Sequence, residues 1–393
     1  MKVAIVHYWL VTMRGGEKVL EDLCRLYPQA DIFTLVLDEE SLSPVLRKHK
    51  ITTSFLQRIP GSAKHYQKLL ALMPFALEQL DVTDYDLVIS SESGPAKGVV
   101  ARPDALHICY CHSPMRYLWD HYHVYRQEMG LVPRFVFSLL APFLRIWDVT
   151  TAARVDAFVS NSMHVSRRIA RVYDRMSTVI YPPVAVEDFE PAETLGDYYL
   201  CAGQVVTYKR VDLAVRAFTQ NGKPLVVIGD GPQLEALRRV AGPNVKFLGR
   251  CDFATLKHHL SHCRGLVFPG EEDFGILPVE AMASGRPVIA YGAGGALESI
   301  GDERAGVFFR EQTVEGLVEA VERFEAQFDE FDPAFIRQRA LRFSSARFRE
   351  EMSAFVEAEW ARKRDRFHRP EWNESELPKN APDLLVLPHD DRV

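Results

Sequence analysis

Short apolar runs alternate with amphipathic stretches along the whole of this chain, which restricts it to parallel sheets covered by helices. In the first half the runs fall at residues 3–6, 32–37, 87–90, 106–110, 157–160 and 178–181. Pro182-Pro183 then ends the pattern, because two prolines cannot continue a strand ladder. It restarts with runs at 198–201, 225–228, 245–248, 265–268 and 287–290. The expected organisation is an α/β domain over 1–184, a second over 185–367 and a polar, proline-bearing tail over 368–393, poorly ordered or strapped along the surface. Residues 314–328 and 345–365 read as helices at the end of the second domain. A length of 393 residues suits two such domains.

Net charge excludes a nucleic-acid binder as the natural reading, since Asp and Glu outnumber Lys and Arg by 53 to 47. The two halves differ: residues 1–185 carry a net +3 and the remainder −9. That offset leaves open a basic first domain facing anionic lipid or a pyrophosphate-bearing acceptor. The six cysteines show no zinc-like spacing, and Cys109 and Cys111 would point the same way on one strand. Reduced core thiols in a cytoplasmic protein are expected. The apolar start MKVAIVHYWLV is interrupted by His7 and followed by Arg14-Gly-Gly-Glu, so it reads as a buried strand entering a turn rather than a signal peptide. No 18 apolar residues run uninterrupted, which argues against a spanning helix.

Residues 267–290, VFPGEEDFGILPVEAMASGRPVIA, carry the clearest chemistry. Glu272 and Glu280 bracket Phe274-Gly275-Ile276-Leu277 between a strand and a small-residue helix expected at 279–284. A loop leaving a strand and entering a helix offers free N–H groups and the positive end of the helix dipole to an anion. The carboxylates add acceptors for sugar or ribose hydroxyls, which describes a nucleotide-sugar site. Gly15-Gly16 supplies a second glycine turn before a helix, without a GxGxxG fingerprint. His112, Arg116 and Asp120 follow the strand at 106–110, where ligands bind in open α/β sheets. Lys209-Arg210 and Gly249-Arg250 follow strands of the second domain. Two apolar, cation-bearing segments, 62–80 and 131–147, could lie on a membrane surface, line an acceptor groove or simply pack in the core.

The Glu272/Glu280 pair, with Phe274-Gly275-Ile276 and Gly285-Arg286-Pro287-Val288 around it, resembles the signature of family 4 retaining glycosyltransferases. These have the GT-B fold, two Rossmann-like domains facing across a cleft. HICYCHSPMRYLWD and EEDFGILPVEA are most similar to bacterial mannosyltransferases that use GDP-mannose to build O-antigen or exopolysaccharide on polyprenyl-diphosphate carriers. The resemblance covers about residues 1–360. It implies that Lys209, the Gly15-Gly16 turn and the N–H groups of Phe274–Leu277 serve the donor diphosphate, and that Glu280 holds the ribose. It implies further that Glu272 holds sugar hydroxyls, that His112 contacts sugar or acceptor, and that Gly249-Arg250 borders the base. Gln204 stands where an arginine is expected, with Arg210 as the candidate compensation, and Asp273 where a glycine is common.

The implied reaction moves a sugar to an acceptor hydroxyl with retention, by same-face attack in which the leaving phosphate takes the acceptor's proton. No cofactor or metal is expected. The implied partners are a nucleotide sugar and a glycan or lipid-linked acceptor, at the inner face of the cytoplasmic membrane. Another donor such as UDP-glucose or GDP-fucose, a non-catalytic nucleotide-sugar binder and a tandem-Rossmann oxidoreductase stay open at this point.

Overall fold

The computed structural model describes residues 1–367, so the tail expected over 368–393 lies outside the described residues. The first sheet is built from β1 (Val3–His7), β2 (Asp31–Thr34), β3 (Ile51–Thr53), β4 (Leu87–Glu92), β5 (Leu106–Cys111), β6 (Ala157–Ser160) and β7 (Ser177–Val179). The second contains β8 (Tyr199–Ala202), β9 (Leu225–Ile228), β10 (Val245–Gly249), β11 (Leu266–Phe268), β12 (Val288–Tyr291) and β13 (Gly306–Phe309). Their spatial orders are β3-β2-β1-β4-β5-β6-β7 and β10-β9-β8-β11-β12-β13, with every pairing parallel. Helices on both faces bury β1, β4 and β5 completely, which is why those strands read as continuous apolar runs. The edge strand β3 escaped that pattern, having too few apolar residues in a row, and β13, an apolar Gly-Val-Phe-Phe run, is not among the expected strands.

Each sheet separates two apolar layers. Val3, Ile5, Leu87 and Ile89 face one side of the first sheet, while Ala4, Val6 and Val88 face the other. All six cysteines are free thiols, with Cys109 and Cys111 buried in one cluster as their spacing implied.

The terminal helix Ser345–Phe367 departs from the sequence expectation. It packs on the first sheet's side of the molecule, placing Phe348, Met352 and Val356 in the cluster with Val3 and Ile5. Those positions recur every four residues and form one helical face. Asp22 of the helix Gly15–Leu26 accepts from Ser345 at 3.1 Å and pairs with Arg349. The chain therefore crosses from the first domain to the second and returns.

A buried ion cluster secures the long helix Leu131–Ala152. Asp148 pairs with Lys97, which also lies 3.6 Å from Glu92 at the end of β4. Trp119 Nε1 donates to Asp148 at 2.8 Å, and the Tyr173 hydroxyl lies 3.2 Å from both its carboxylate oxygens. Buried charges persist only when paired in this way.

Because Phe348 is fully buried in the returning helix, Phe348→Ala should cost about 3–5 kcal/mol of stability. Urea unfolding followed by near-ultraviolet circular dichroism measures it, and a loss within 0.5 kcal/mol (roughly the range of ordinary surface substitutions) would show that the return crossing does not hold the domains.

Candidate active site

Both sheets reverse strand order beside their first strand: β1 lies between β2 and β4, and β8 between β9 and β11. Crevices form at the carboxyl ends of strands where the order reverses. Here the two crevices face each other and merge into a cleft of about 850 Å³. The turn after β1 brings Gly15 and Gly16 into it, the segment after β5 brings His112 and Arg116, and the loops after β8 and β11 bring Lys209 and Glu272.

Two helices, Gly15–Leu26 and Ile276–Ala283, point their N-termini into this cleft from opposite walls. Their closeness explains Gly15, where a Cβ would lie 2.8 Å from Ile276 Cδ1. Gly275 enters the second helix at φ +88°, a conformation that favours glycine. Pro278 in the first turn has no N–H to leave unsatisfied, whereas Ile276 and Leu277 present theirs without intrahelical acceptors. Converging helix N-termini aim free N–H groups and positive dipole ends into the cleft, a setting that suits an anion.

The carboxylates predicted from sequence are both in the cleft, each already matched to a cation. Glu272 pairs with Lys209. Burial works against the Lys209 charge, but Glu272 outweighs it and holds the ammonium above its ordinary range. Glu280 accepts from Lys18 Nζ at 2.8 Å, across the cleft from the first domain. Asp273 carries no free charge into the site: Arg168 Nη1 donates to it at 2.7 Å and Arg116 Nε lies 3.7 Å away. Ser162 Oγ donates to the Asp273 carbonyl at 2.6 Å, so the loop bearing both glutamates is tied to the first domain.

On the opposite wall His112 begins a polar chain. Its Nε2 lies 2.9 Å from Ser91 Oγ, which lies 3.1 Å from His7 Nδ1, and His7 Nε2 is 3.6 Å from Glu17. Burial, and then the neighbouring His7, pushes the His112 imidazole down to about 3, so it is neutral at ordinary pH. The Tyr8 hydroxyl sits above Gly16, where a Cβ would come within 2.5 Å of it, and burial holds its proton well above the usual phenol range.

Gly15, Gly16, His112, Arg116, Lys209, Glu272, Phe274, Gly275, Ile276, Leu277 and Glu280 thus line one cleft. Four expected residues do not. Arg210 adopts φ +51° before the helix Val211–Asn221, and its guanidinium turns to Asp212 at 3.1 Å and Gln312 at 3.0 Å. Arg116 lies in the cleft instead, its guanidinium 5.7 Å from the Tyr208 ring centre. Asp120 is taken by Arg168 outside the cleft lining. Gly249 and the exposed Arg250 stop short of it, while Leu256 of the following helix reaches it. Sequence reasoning missed Lys18, Tyr8 and Arg168. Lys18 stands next to the Gly15-Gly16 turn and was findable there; Arg168 carries no local signal.

Comparison with known proteins agrees with this geometry. The family model described as Glycosyltransferase Family 4 matches residues 13–188, and that described as Glycosyl transferases group 1 matches 196–326. The chain is a glycosyltransferase of the GT-B fold. It is 26% identical over 350 residues to O-antigen chain mannosyltransferase C of Escherichia coli, covering 80% of this chain and 85% of that one. It is 29% identical over 209 residues to a GDP-mannose-dependent alpha-(1-6)-phosphatidylinositol monomannoside mannosyltransferase of Mycobacterium tuberculosis, covering 45% of this chain and 53% of that protein. Among solved structures, a sucrose-phosphate synthase from Thermosynechococcus elongatus matches with a TM-score of 0.70 at 17% identity, over 92% of this chain and all of that one. Anabaena HepE in complex with UDP and glucose matches with a TM-score of 0.69 at 16% identity, over 91% of this glycosyltransferase and 99% of HepE. Family membership sets the oxidoreductase reading aside.

The state of His112 is directly measurable. Its position at about 3 lies below the ordinary 6.5, so the neutral ring contributes stability that is fully present above pH 6.5 and lost as pH falls toward 3. In an NMR titration its ring proton should not shift between pH 5 and 8. The stability gap between wild type and His112→Gln should narrow below pH 6.5; a ring titrating near 6.5 would contradict the buried chain.

Proposed function

We propose that this glycosyltransferase transfers mannose from GDP-mannose, with retention, to a hydroxyl of a polyprenyl-diphosphate-linked glycan in cell-surface polysaccharide synthesis. The observation that carries the reading is the pairing across one cleft of two helix N-termini with Lys209, Glu272 and Glu280. The mannosyltransferase relatives in O-antigen and phosphatidylinositol-mannoside synthesis support the choice of sugar.

In this reading the diphosphate takes the place that the carboxylates now occupy beside the cations. Lys209, Arg116 and the N–H groups at Gly15-Gly16 and Phe274–Leu277 meet the charge on its oxygens. Glu280, freed from Lys18, accepts from the ribose hydroxyls, and Glu272, freed from Lys209, accepts from the sugar. The acceptor oxygen attacks the anomeric carbon on the face that the phosphate leaves. The carbon–oxygen bond to phosphate breaks, and the departing phosphate oxygen takes the acceptor's proton. Neutral His112 hydrogen-bonds the sugar and does not carry charge through the reaction. Holding both substrates in line and stabilising the leaving diphosphate are the protein's two tasks.

Calorimetry with GDP, UDP and ADP, alone and as sugar conjugates, tests the assignment. GDP and GDP-mannose should bind most tightly. Glu280→Ala and Lys209→Ala should each weaken GDP by roughly 10- to 100-fold, the size of a hydrogen bond to a charged group. A preference for UDP would overturn the donor while leaving the cleft chemistry in place. Absence of any nucleotide binding by folded protein would overturn the site.

A further inference from the structure

The helix Leu131–Ala152 has two unlike faces. Phe137, Ala141, Leu144, Asp148, Thr151 and Ala152 are buried against the domain. On the other side Leu131, Val132, Phe135, Leu139, Phe143 and Ile146 are 60–82% exposed, a continuous apolar stripe recurring near every fourth residue. Stripes of this kind are rare on protein surfaces that meet only water.

The helix is long and apolar enough to cross a membrane, but it does not fit one end to end. Its inner face is bolted to the domain through the Lys97–Asp148 cluster. Arg134 donates to the carbonyls of Arg126 and Met129, and Arg145 donates to that of Leu118, which ties both cations to the protein. A helix fixed along one face and greasy along the other lies in an interface plane.

Charge selects the occupant. No acidic residue occurs between Glu128 and Asp148. None occurs between Glu40 and Glu78 either, a stretch that includes exposed Arg58, Lys64 and Lys68. This second segment meets the long helix directly: Leu70 packs on the cluster of Phe137, Ala141 and Leu144, and Trp147 Nε1 donates to Glu78 at 3.2 Å. Leu72 and Phe75 add exposed apolar surface to it. Tyr66, Leu70 and Phe137, from the two segments, also line the cleft.

We infer that these two segments form one docking surface for an anionic lipid bilayer. The long helix lies flat with its apolar stripe among the acyl chains, and Arg58, Lys64 and Lys68 meet lipid phosphates. The cleft then opens toward the bilayer between the two segments, where a lipid-linked acceptor enters without leaving the membrane. The direction of acceptor entry rests on the function proposed above, whereas the docking surface does not.

Vesicle co-sedimentation of the full chain, without donor or acceptor, tests the surface separately from the transferase assignment. Wild type should bind vesicles of phosphatidylcholine with phosphatidylglycerol better than phosphatidylcholine alone, and less as salt is raised. The double variant Phe135→Asp/Phe143→Asp should weaken binding by roughly tenfold or more. Lys64→Glu/Lys68→Glu should abolish the preference for phosphatidylglycerol. None of these residues lines the cleft, so calorimetric binding of GDP, as the check on folding, should be unchanged. The inference is overturned if wild type ignores both vesicles or if the variants bind as well as wild type. It is also overturned if light scattering shows a dimer that Phe135→Asp/Phe143→Asp converts to monomer, for then a second copy covers the stripe.

Discussion

Asp273 and the buried Arg168 form the contact on which the cleft depends. The guanidinium, shielded from water, needs anions, and it takes Asp120 from its own domain and Asp273, at 2.7 Å, from the other. Ser162 grips the backbone of the same residue, and Glu298 accepts from the N–H groups of Met163 and His164 just beyond. These ties hold the loop from Glu272 to Leu277 against the first domain. The position of the carboxylates, of the Gly275 turn and of the second helix N-terminus all follow from them.

The same contact changes the meaning of the residue that occupies it. As a free acid, Asp273 would add negative charge to the cleft that the proposed function gives to a diphosphate. Held by Arg168 with Arg116 nearby, it becomes part of the frame and leaves the cleft's balance to Lys18, Lys209 and Arg116. Lys18–Glu280 and Lys209–Glu272 are different in kind, because each joins a cation suited to phosphate with a carboxylate suited to hydroxyls. A donor that brings both groups exchanges one set of partners for another, which keeps the desolvation cost of binding small.

The chain's return to its first domain adds a second constraint. The helix Ser345–Phe367 buries Phe348 and Met352 beside Ile5, so the termini of the described chain meet on one domain. Together with the buried Asp148 cluster it ties the first domain's helices to its sheet as one platform. Such a platform can carry an exposed apolar helix without that helix collapsing into the core.

Much of this was legible in the residues alone. Parallel strands buried on both faces must be apolar throughout, so two rounds of alternation, parted at Pro182-Pro183, declared two α/β units. Gly15-Gly16 marked a helix start because close approach leaves little choice of residue, whereas the second helix begins at Ile276, three residues before the expected 279, since Gly275 at positive φ already turns the chain into it. Charged side chains obey no such local rule. Whether Arg116 or Arg210 faced the cleft, whether Asp273 was free, and whether Lys18 reached Glu280 depended on partners up to 262 residues away. The returning helix could not be assigned to a domain for the same reason, since an apolar face states that it must be buried and not against what. Sequence by itself determined the two α/β units, most of their strands and the kinds of group in the cleft. Only the tertiary structure decided which charges pair, because pairing is a matter of distance between elements that the chain order does not encode.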